Sequence, residues 1–371
     1  MAPAPHIICT VTNDLTYDQR MIRICNSLVT NGYRVTLVGR RLPGSLPLES
    51  RPFRQVRLPC RFRKGPLFYA EYNLRLFFWL LLRRANVHCA IDLDTILPCL
   101  LVSAIRGSKR VYDAHELFCE MKEIVSRPSR YRIWKWIERL AVPRFPQGYT
   151  VCAPIAAEFE RMYGVHYAVV RNLPLPRQEP ALKKQEGHGQ RDRLILYQGA
   201  VNEGRCFETL IPAMKEVAAP LHIYGDGNFL EQTRQLIRRE GLDNRVLLQG
   251  KATPAVLQQV TPTAYAGITL FENNGLSNYY SLANRFFDYI QAGIPQLCVN
   301  YPSYRSINEI YEVAVLIDDT SAASIAAGLN LLLRDAVLYE RLQRNCLEAG
   351  KVLHWAQEET VLLNFYSQLL G

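Results

Sequence analysis

Nothing in this chain marks a disulfide scaffold or a zinc site: its ten cysteines, from Cys9 to Cys346, include no Cys-x-x-Cys pair and no tight cluster with histidine. Scattered cysteines of this kind read as buried free thiols in a reducing cytoplasm. No apolar run approaches the roughly 20 residues needed to span a bilayer; the unbroken stretch 76–82 falls far short. The opening Met1-Ala-Pro-Ala-Pro-His lacks a basic start and passes straight into a strand-like run, so no secretory signal is expected. Also missing are a G-x-G-x-x-G fingerprint, which argues against NAD, and any recognisable nucleic-acid-reading motif.

What is present is enough apolar matter for more than one core. At 371 residues and 49% hydrophobic, the chain exceeds what a single core usually holds. Its 44 basic residues against 34 acidic ones give a net charge of +10, which favours anionic partners. Part of that charge frames an aromatic segment: Arg61, Arg63 and Lys64 precede residues 66–82, and Arg83 and Arg84 close it. Basic ends around Phe77, Phe78 and Trp79 suit a helix lying against an anionic membrane surface. A core helix with solvated ends fits the same pattern.

Strand and helix signals alternate through the first half. Residues 6–11 are an apolar run, 20–29 have helical spacing, Asn31-Gly32 makes a turn and 34–38 are β-branched, a βαβ opening. Further strands fit 87–91, 110–112, 148–152 and 167–170, with helices over 131–140 and 155–162. Residues 175–193, charged and turn-rich, read as an interdomain linker. The alternation then restarts, with strands at 194–198, 221–224, 246–249, 266–270 and 296–299 and helices over 207–217 and 229–239. This pattern predicts an α/β chain of two doubly wound, parallel-sheet (Rossmann-like) domains, 1–174 and 194–355, facing a central cleft. Ligands in such sheets bind at the carboxyl ends of the strands, so the loops there are where chemistry is sought.

The most telling loop is 271–295, FENNGLSNYYSLANRFFDYIQAGIP, which feeds a short helix ending at Gly293 and Pro295. Backbone N–H groups at such a helix start can cradle a diphosphate. Arg285 can meet phosphate charge one turn in, and Asp288 stands where a carboxylate could accept hydrogen bonds from a ribose. An ordinary capped helix before a buried strand uses the same residue types. The layout resembles the donor-site signature of retaining glycosyltransferases of family four (group 1 type) with the GT-B fold, especially a subgroup reading Tyr-Ser-Leu-Pro-Asn-Lys before Phe-Glu-Tyr. Here Tyr280-Ser281-Leu282-Ala283-Asn284-Arg285 precedes Phe287-Asp288-Tyr289. The broader family carries glutamates where Tyr280 and Asp288 stand, so the first is absent and the second is shortened.

Other segments extend the resemblance. Gly199 permits close backbone approach, and Arg205 adds a cation before the next helix. The resemblance implies that Arg205 and Arg285 clamp the pyrophosphate in place of a metal ion, with Gly199, Tyr280, Ser281, Leu282, Ala283, Asn284 and Asp288 at the donor. Residues 111–118, VYDAHELF, match a subgroup stretch whose histidine contacts the donor sugar, which implies that role for His115, with Asp113 or Glu116 beside it. Asn13, Asp14, Tyr17, Asp18 and Arg20 occupy the loop after the first strand and are candidates for acceptor hydroxyls, although Asp18 also reads as a helix cap. Asp92-Leu93-Asp94 has the spacing of a hard-cation ligand pair, but the subgroup carries a similar segment without metal dependence. Gly225-Asp226-Gly227 lines the nucleotide site in the family and equally reads as a tight turn.

The expectation is a GT-B, retaining glycosyltransferase that needs no metal or cofactor. It would move sugar from a nucleoside diphosphate sugar, UDP before GDP, to a glycan or lipid-linked acceptor in surface polysaccharide synthesis. Its place would be the cytoplasm, at the inner face of the cell membrane if the basic aromatic segment docks there, with nucleic acid no partner. The resemblance further implies that the last helix, about 356–371, crosses back to the first domain. A nucleotide-sugar epimerase or hydrolase, or a non-catalytic nucleotide-sugar-binding subunit, would use the same donor loops and stays open.

Overall fold

The computed structural model describes residues 3–16, 18–176 and 193–371; Tyr17 and most of the expected linker lie outside them. The chain forms two compact units, Met1–Asn172 with Glu358–Gly371, and Leu173–Gln357.

The first unit holds seven parallel strands: β1 (His6–Thr10), β2 (Arg34–Arg41), β3 (Arg54–Pro59), β4 (Val87–Ile91), β5 (Lys109–Ala114), β6 (Gly148–Thr150) and β7 (Ala168–Val169). Their order is β3-β2-β1-β4-β5-β6-β7, so the direction of winding reverses between β1 and β4. Helices cover both faces, and every residue of β4 is buried as a result. β3 is absent from the sequence expectation because it is an edge strand: it pairs only with β2, and only Leu58 of its mixed run RQVRLP is buried. The helix Trp355–Leu370 docks its last turns here, with Phe365 and Tyr366 against Tyr149 at ring-centroid distances of 5.3 and 6.3 Å. Buried Glu358 on the same helix accepts from the Arg171 amide (2.7 Å), Nε (2.8 Å) and Nη2 (2.6 Å), which leaves its charge fully partnered.

The second unit holds six parallel strands, β8 (Ile195–Gln198), β9 (Leu221–Tyr224), β10 (Val246–Gly250), β11 (Ala266–Thr269), β12 (Gln296–Val299) and β13 (Ala314–Ile317), in the order β10-β9-β8-β11-β12-β13. Winding reverses between β8 and β11. β13 is a second unexpected edge strand. The helix expected over 207–217 stops at Ala213 and passes into tight turns at 214–217; Pro212, lacking an N–H, removes a rung of the helical ladder near that end. The helix Asn284–Gln291 closes as expected at Gly293, whose φ of +68° permits the Ile294 amide to reach back to the Tyr289 carbonyl at 3.0 Å.

Candidate active site

In the second unit, the switch between β8 and β11 gathers the residues singled out in the sequence. Gly199 follows β8 with φ +131°, and a Cβ there would stand 3.1 Å from Nη1 of Arg285. Gly225 packs so closely that a Cβ would lie 1.9 Å from the Gly199 carbonyl oxygen. The loop is further tied down by the Val201 amide donating to the Asp226 carbonyl at 3.0 Å and the Glu272 amide donating to the Gly204 carbonyl at 3.0 Å. The Gly225-Asp226-Gly227 turn is thus a close-packed support for the Gly199 loop.

Arg285 is only 7% exposed. Its Nη1 donates to the Tyr197 hydroxyl (3.4 Å) and its Nη2 to the Leu270 carbonyl (3.2 Å), both long, while buried Nε has no partner. Among the described residues no carboxylate pairs with it. Its guanidinium instead lies 4.7 Å from the ring centres of Tyr197 and Phe271. Arg205 lies over the same Phe271 ring at 4.2 Å and donates to Asn278 Oδ1 at 3.3 Å. A buried cation without a counter-ion is costly unless an anion joins it.

Asp288, on the first turns of the same helix, accepts at Oδ2 from Gln198 Nε2 (2.9 Å), and Gln198 Oε1 accepts from the Thr261 hydroxyl (2.7 Å). Around the helix start, the Ala283 amide donates to the Tyr304 hydroxyl at 3.0 Å, and the Ser281 hydroxyl donates to the Asn278 carbonyl at 2.7 Å. Leu282 is partly buried against the core and Asn284 is exposed. Tyr280, half-buried at the end of the turn Leu276–Tyr279, accepts from the Ser303 hydroxyl through its carbonyl (2.9 Å).

In the first unit, the loops after β4 and β5 build a charge cluster. Asp92 adopts φ +54°, a conformation that costs a residue with a Cβ about 1–3 kcal/mol. Its amide donates to the Asp113 carbonyl (2.9 Å) and its Oδ1 accepts from the His115 amide (2.8 Å), which holds the strained loop. His115 Nδ1 is 3.4 Å from Asp92 Oδ2, and Nε2 is 3.2 Å from Asp113 Oδ2. The latter pair is close in charge but misaligned for a hydrogen bond, so neither atom has a hydrogen-bond partner in the protein. Asp113 is fully buried, and Arg20 Nη2 meets its Oδ1 at 2.9 Å while Nη1 donates to the Val170 carbonyl at 2.9 Å.

Burial opposes a charge on His115, but Asp92 and Asp113 outweigh it and raise its pKa to about 9. Burial pushes the Asp92 carboxyl up to about 6, and burial likewise raises Asp94 to about 6. Burial also acts to raise Asp113, yet Arg20 and His115 hold it below the usual carboxylate value. The cluster therefore favours an imidazolium held between the Asp92 and Asp113 carboxylates.

The remaining candidates are more local. Asp18 caps the helix Gln19–Thr30 by accepting from the Met21 amide (3.0 Å), and Asn13 donates to Asp18 (2.5 Å). Asp14 Oδ1 accepts from the Thr16 amide at 3.1 Å. Arg20, grouped with this loop in the sequence, is instead buried under Asp113. Asp94 turns away from Asp92 to accept from the Thr12 hydroxyl at 2.5 Å, and Glu116 lies near enough to raise the Asp94 pKa further. Among the described residues no group of three or more His, Cys, Asp or Glu is placed to hold a metal ion. Sequence reasoning did not single out Phe271, the ring shared by the two arginines, nor Gln198 as the partner of Asp288.

Two parallel-sheet units with charged loops at their switch points define a GT-B glycosyltransferase architecture. Two family models divide the chain: residues 19–174 match Glycosyltransferase Family 4, and residues 178–350 match Glycosyl transferases group 1. Sucrose-phosphate synthase from Thermosynechococcus elongatus has a similar structure (TM-score 0.77, 15% identity, 98% of this chain and 99% of that one). So does HepE from Anabaena in complex with UDP-glucose (TM-score 0.76, 12% identity, 98% and 99%). WaaG, a glycosyltransferase involved in lipopolysaccharide biosynthesis, follows at TM-score 0.73 and 15% identity over 96% and 98%. At such identities the likeness speaks for the fold. No curated protein matches the sequence. The chain belongs to the family 4, group 1 type glycosyltransferases and is an enzyme of that class.

Proposed function

We propose that this enzyme is a retaining transferase that moves a sugar from a UDP-sugar, with GDP the next choice, to a hydroxyl of a glycan or lipid-linked acceptor, without a metal ion. The observation that carries the donor assignment is Arg285, a buried cation with no carboxylate partner beside the Gly199 loop. A diphosphate supplies the missing charge, shared with Arg205 over Phe271. Asp288, held by Gln198, is aimed at the ribose hydroxyls. His115, held in charge between Asp92 and Asp113, is the group of the first unit assigned to the transferred sugar. The departing phosphate takes the acceptor proton as the acceptor attacks from the same face, so no protein nucleophile is used.

HepE with UDP-glucose and WaaG in lipopolysaccharide biosynthesis support the choice of UDP and of surface polysaccharide as the pathway class. The reading places the enzyme on the cytoplasmic side, attached to anionic membrane through residues 61–84. A thermal-shift panel of UDP, GDP, ADP and CDP in chelated buffer tests the donor assignment. A ligand at about 100 times its Kd stabilises by roughly 2.7 kcal/mol; no shift with any of the four at millimolar concentration defeats it. Tyr280, standing where the family has a glutamate, also fits a non-catalytic binding subunit. Product analysis separates that reading and a hydrolase from a transferase: no turnover, free sugar, or glycosylated acceptor.

A further inference from the structure

The helix Pro128–Ala141 in the first unit divides its residues sharply by face. Inward, Trp134 packs edge-on against Phe118 at a centroid distance of 4.8 Å and against Tyr69 at 5.0 Å. Glu138, the helix's acidic residue, is buried on Lys135 (2.7 Å) and the Tyr163 hydroxyl (2.5 Å). Outward, Ile133 is 59% and Trp136 is 62% exposed, one turn apart. Exposed Arg130, Arg132 and Arg139 stand around them, and the helix carries no acidic residue besides Glu138.

The neighbouring helix Gly65–Leu81, which supplies Tyr69, repeats the arrangement. Its inward stripe of Phe68, Tyr72, Leu76 and Leu80 is buried in the core. Its outward side exposes Leu67, Leu74 and Phe78 (54% exposed), followed by Leu82 (79%), positions that fall on one line of an α-helix. Glu71 on that line is engaged by the amides of Arg61 and Phe62 and by Arg75, while Arg63, Lys64 and Arg84 are exposed at the two ends. Among the described residues no single helix is long and apolar enough to cross a membrane.

We propose that these two neighbouring helices form one docking surface for an anionic lipid bilayer. Trp136, Ile133, Phe78 and Leu82 enter the interface, and the surrounding arginines meet lipid phosphates. Large apolar side chains ringed by guanidinium groups, with the acids of the two helices, Glu71 and Glu138, already engaged, match the layered chemistry of a lipid interface: phosphate outside and acyl chain beneath. An indole is suited to that boundary because its body is apolar and its N–H remains wet. The segment 61–84 alone lacks this exposed tryptophan, so the assignment shifts much of the attachment to Pro128–Ala141. It rests on the membrane reading above and is independent of the nucleotide site in the second unit.

The test is co-sedimentation of the full chain with vesicles of phosphatidylcholine alone or mixed with phosphatidylglycerol, at low and high salt. Three variants are compared: Ile133→Ser/Trp136→Ser, Arg130→Gln/Arg132→Gln/Arg139→Gln, and the equal-charge control Arg238→Gln/Arg239→Gln/Arg344→Gln on the second unit. Unchanged melting temperatures and UDP shifts verify that each folds. Wild type should bind the mixed vesicles, more weakly at high salt. The arginine triple should bind about a hundredfold less, at about fivefold per arginine. The Ser double should also lose most binding, while the control should not. Equal binding to both vesicle types, binding to neither, or an equal loss in the control overturns the proposal. So does a wild-type dimer that the Ser double converts to monomer, which would make a second copy the occupant.

Discussion

Arg205 and Arg285 rest their guanidinium groups over one ring, at 4.2 and 4.7 Å from the centre of Phe271. One arginine comes from the loop after β8 and the other from the first turn of Asn284–Gln291, and the ring comes from the loop just after β11. The quadrupole of the ring partly offsets the repulsion between the two cations, by about 0.5–2 kcal/mol per contact. It does not neutralise Arg285, which is buried and among the described residues has no carboxylate partner.

Replacing Arg285 should therefore separate stability from binding. Arg285→Met removes a buried charge that lacks a carboxylate partner, so the free protein should melt at the same temperature or higher; exchanges of buried charge for apolar bulk range from neutral to about 1–4 kcal/mol stabilising. The stabilisation by UDP should shrink. A large fall in melting temperature with an intact UDP shift would make Arg285 a structural residue.

His115 should titrate far from an ordinary histidine. Its folded pKa, raised to about 9, lies above the ordinary histidine value of 6.5. Its contribution to stability is thus complete below pH 6.5 and is lost as pH rises through about 9. An imidazole NMR titration should give the high value in wild type and a lower one in Asp92→Asn, which keeps the acceptor for the His115 amide but removes a charge. His115→Gln should flatten the alkaline decline in stability. Midpoints near 6.5 in both wild type and Asp92→Asn would dissolve the cluster.

Asp288→Ala should weaken nucleotide binding by roughly ten- to a hundredfold, since a hydrogen bond to a charged partner contributes about 1.5–3 kcal/mol. Asp288→Glu should be tolerated. Against a 2′,3′-dideoxy nucleotide the wild type should lose affinity while Asp288→Ala barely distinguishes the two ligands. An equal penalty in both proteins would put the ribose elsewhere.

Gly225→Ala tests the support beneath the donor loop. A Cβ there would lie 1.9 Å from the Gly199 carbonyl oxygen, so the loop must shift, at about 1–3 kcal/mol for such overpacking. Both melting temperature and UDP affinity should fall. Gly44→Ala, where a Cβ meets nothing within 4 Å, should change neither. Undiminished UDP affinity in Gly225→Ala would uncouple the turn from the site.

The doubly wound pattern is legible where strands are rich in apolar residues: 87–91 and 296–299 coincide with β4 and β12, buried throughout, and 221–224 with the partly buried β9. Edge strands escape this signal. β3 mixes Arg54, Gln55 and Arg57 with apolar residues, and β13 is four apolar residues that periodicity alone cannot tell from helix. The candidate site divides in the same way. The polar loops that follow strands are visible as local composition, but the shared ring of Phe271 and the chain Arg20, Asp113, His115, Asp92 are long-range contacts. Arg20 reads as one more polar loop residue until the fold buries it under Asp113.

On the proposed reading, the two arginines over Phe271 bind a nucleoside diphosphate without metal. The most direct test of that reading is calorimetric titration of UDP, in chelated buffer, into wild type and into Arg205→Met/Arg285→Met. The wild type should bind saturably, and the double variant should bind at least about a hundredfold more weakly, each arginine giving up one or more charge-assisted hydrogen bonds. Absence of binding to wild type under chelation, or equal affinity in the two proteins, would contradict it.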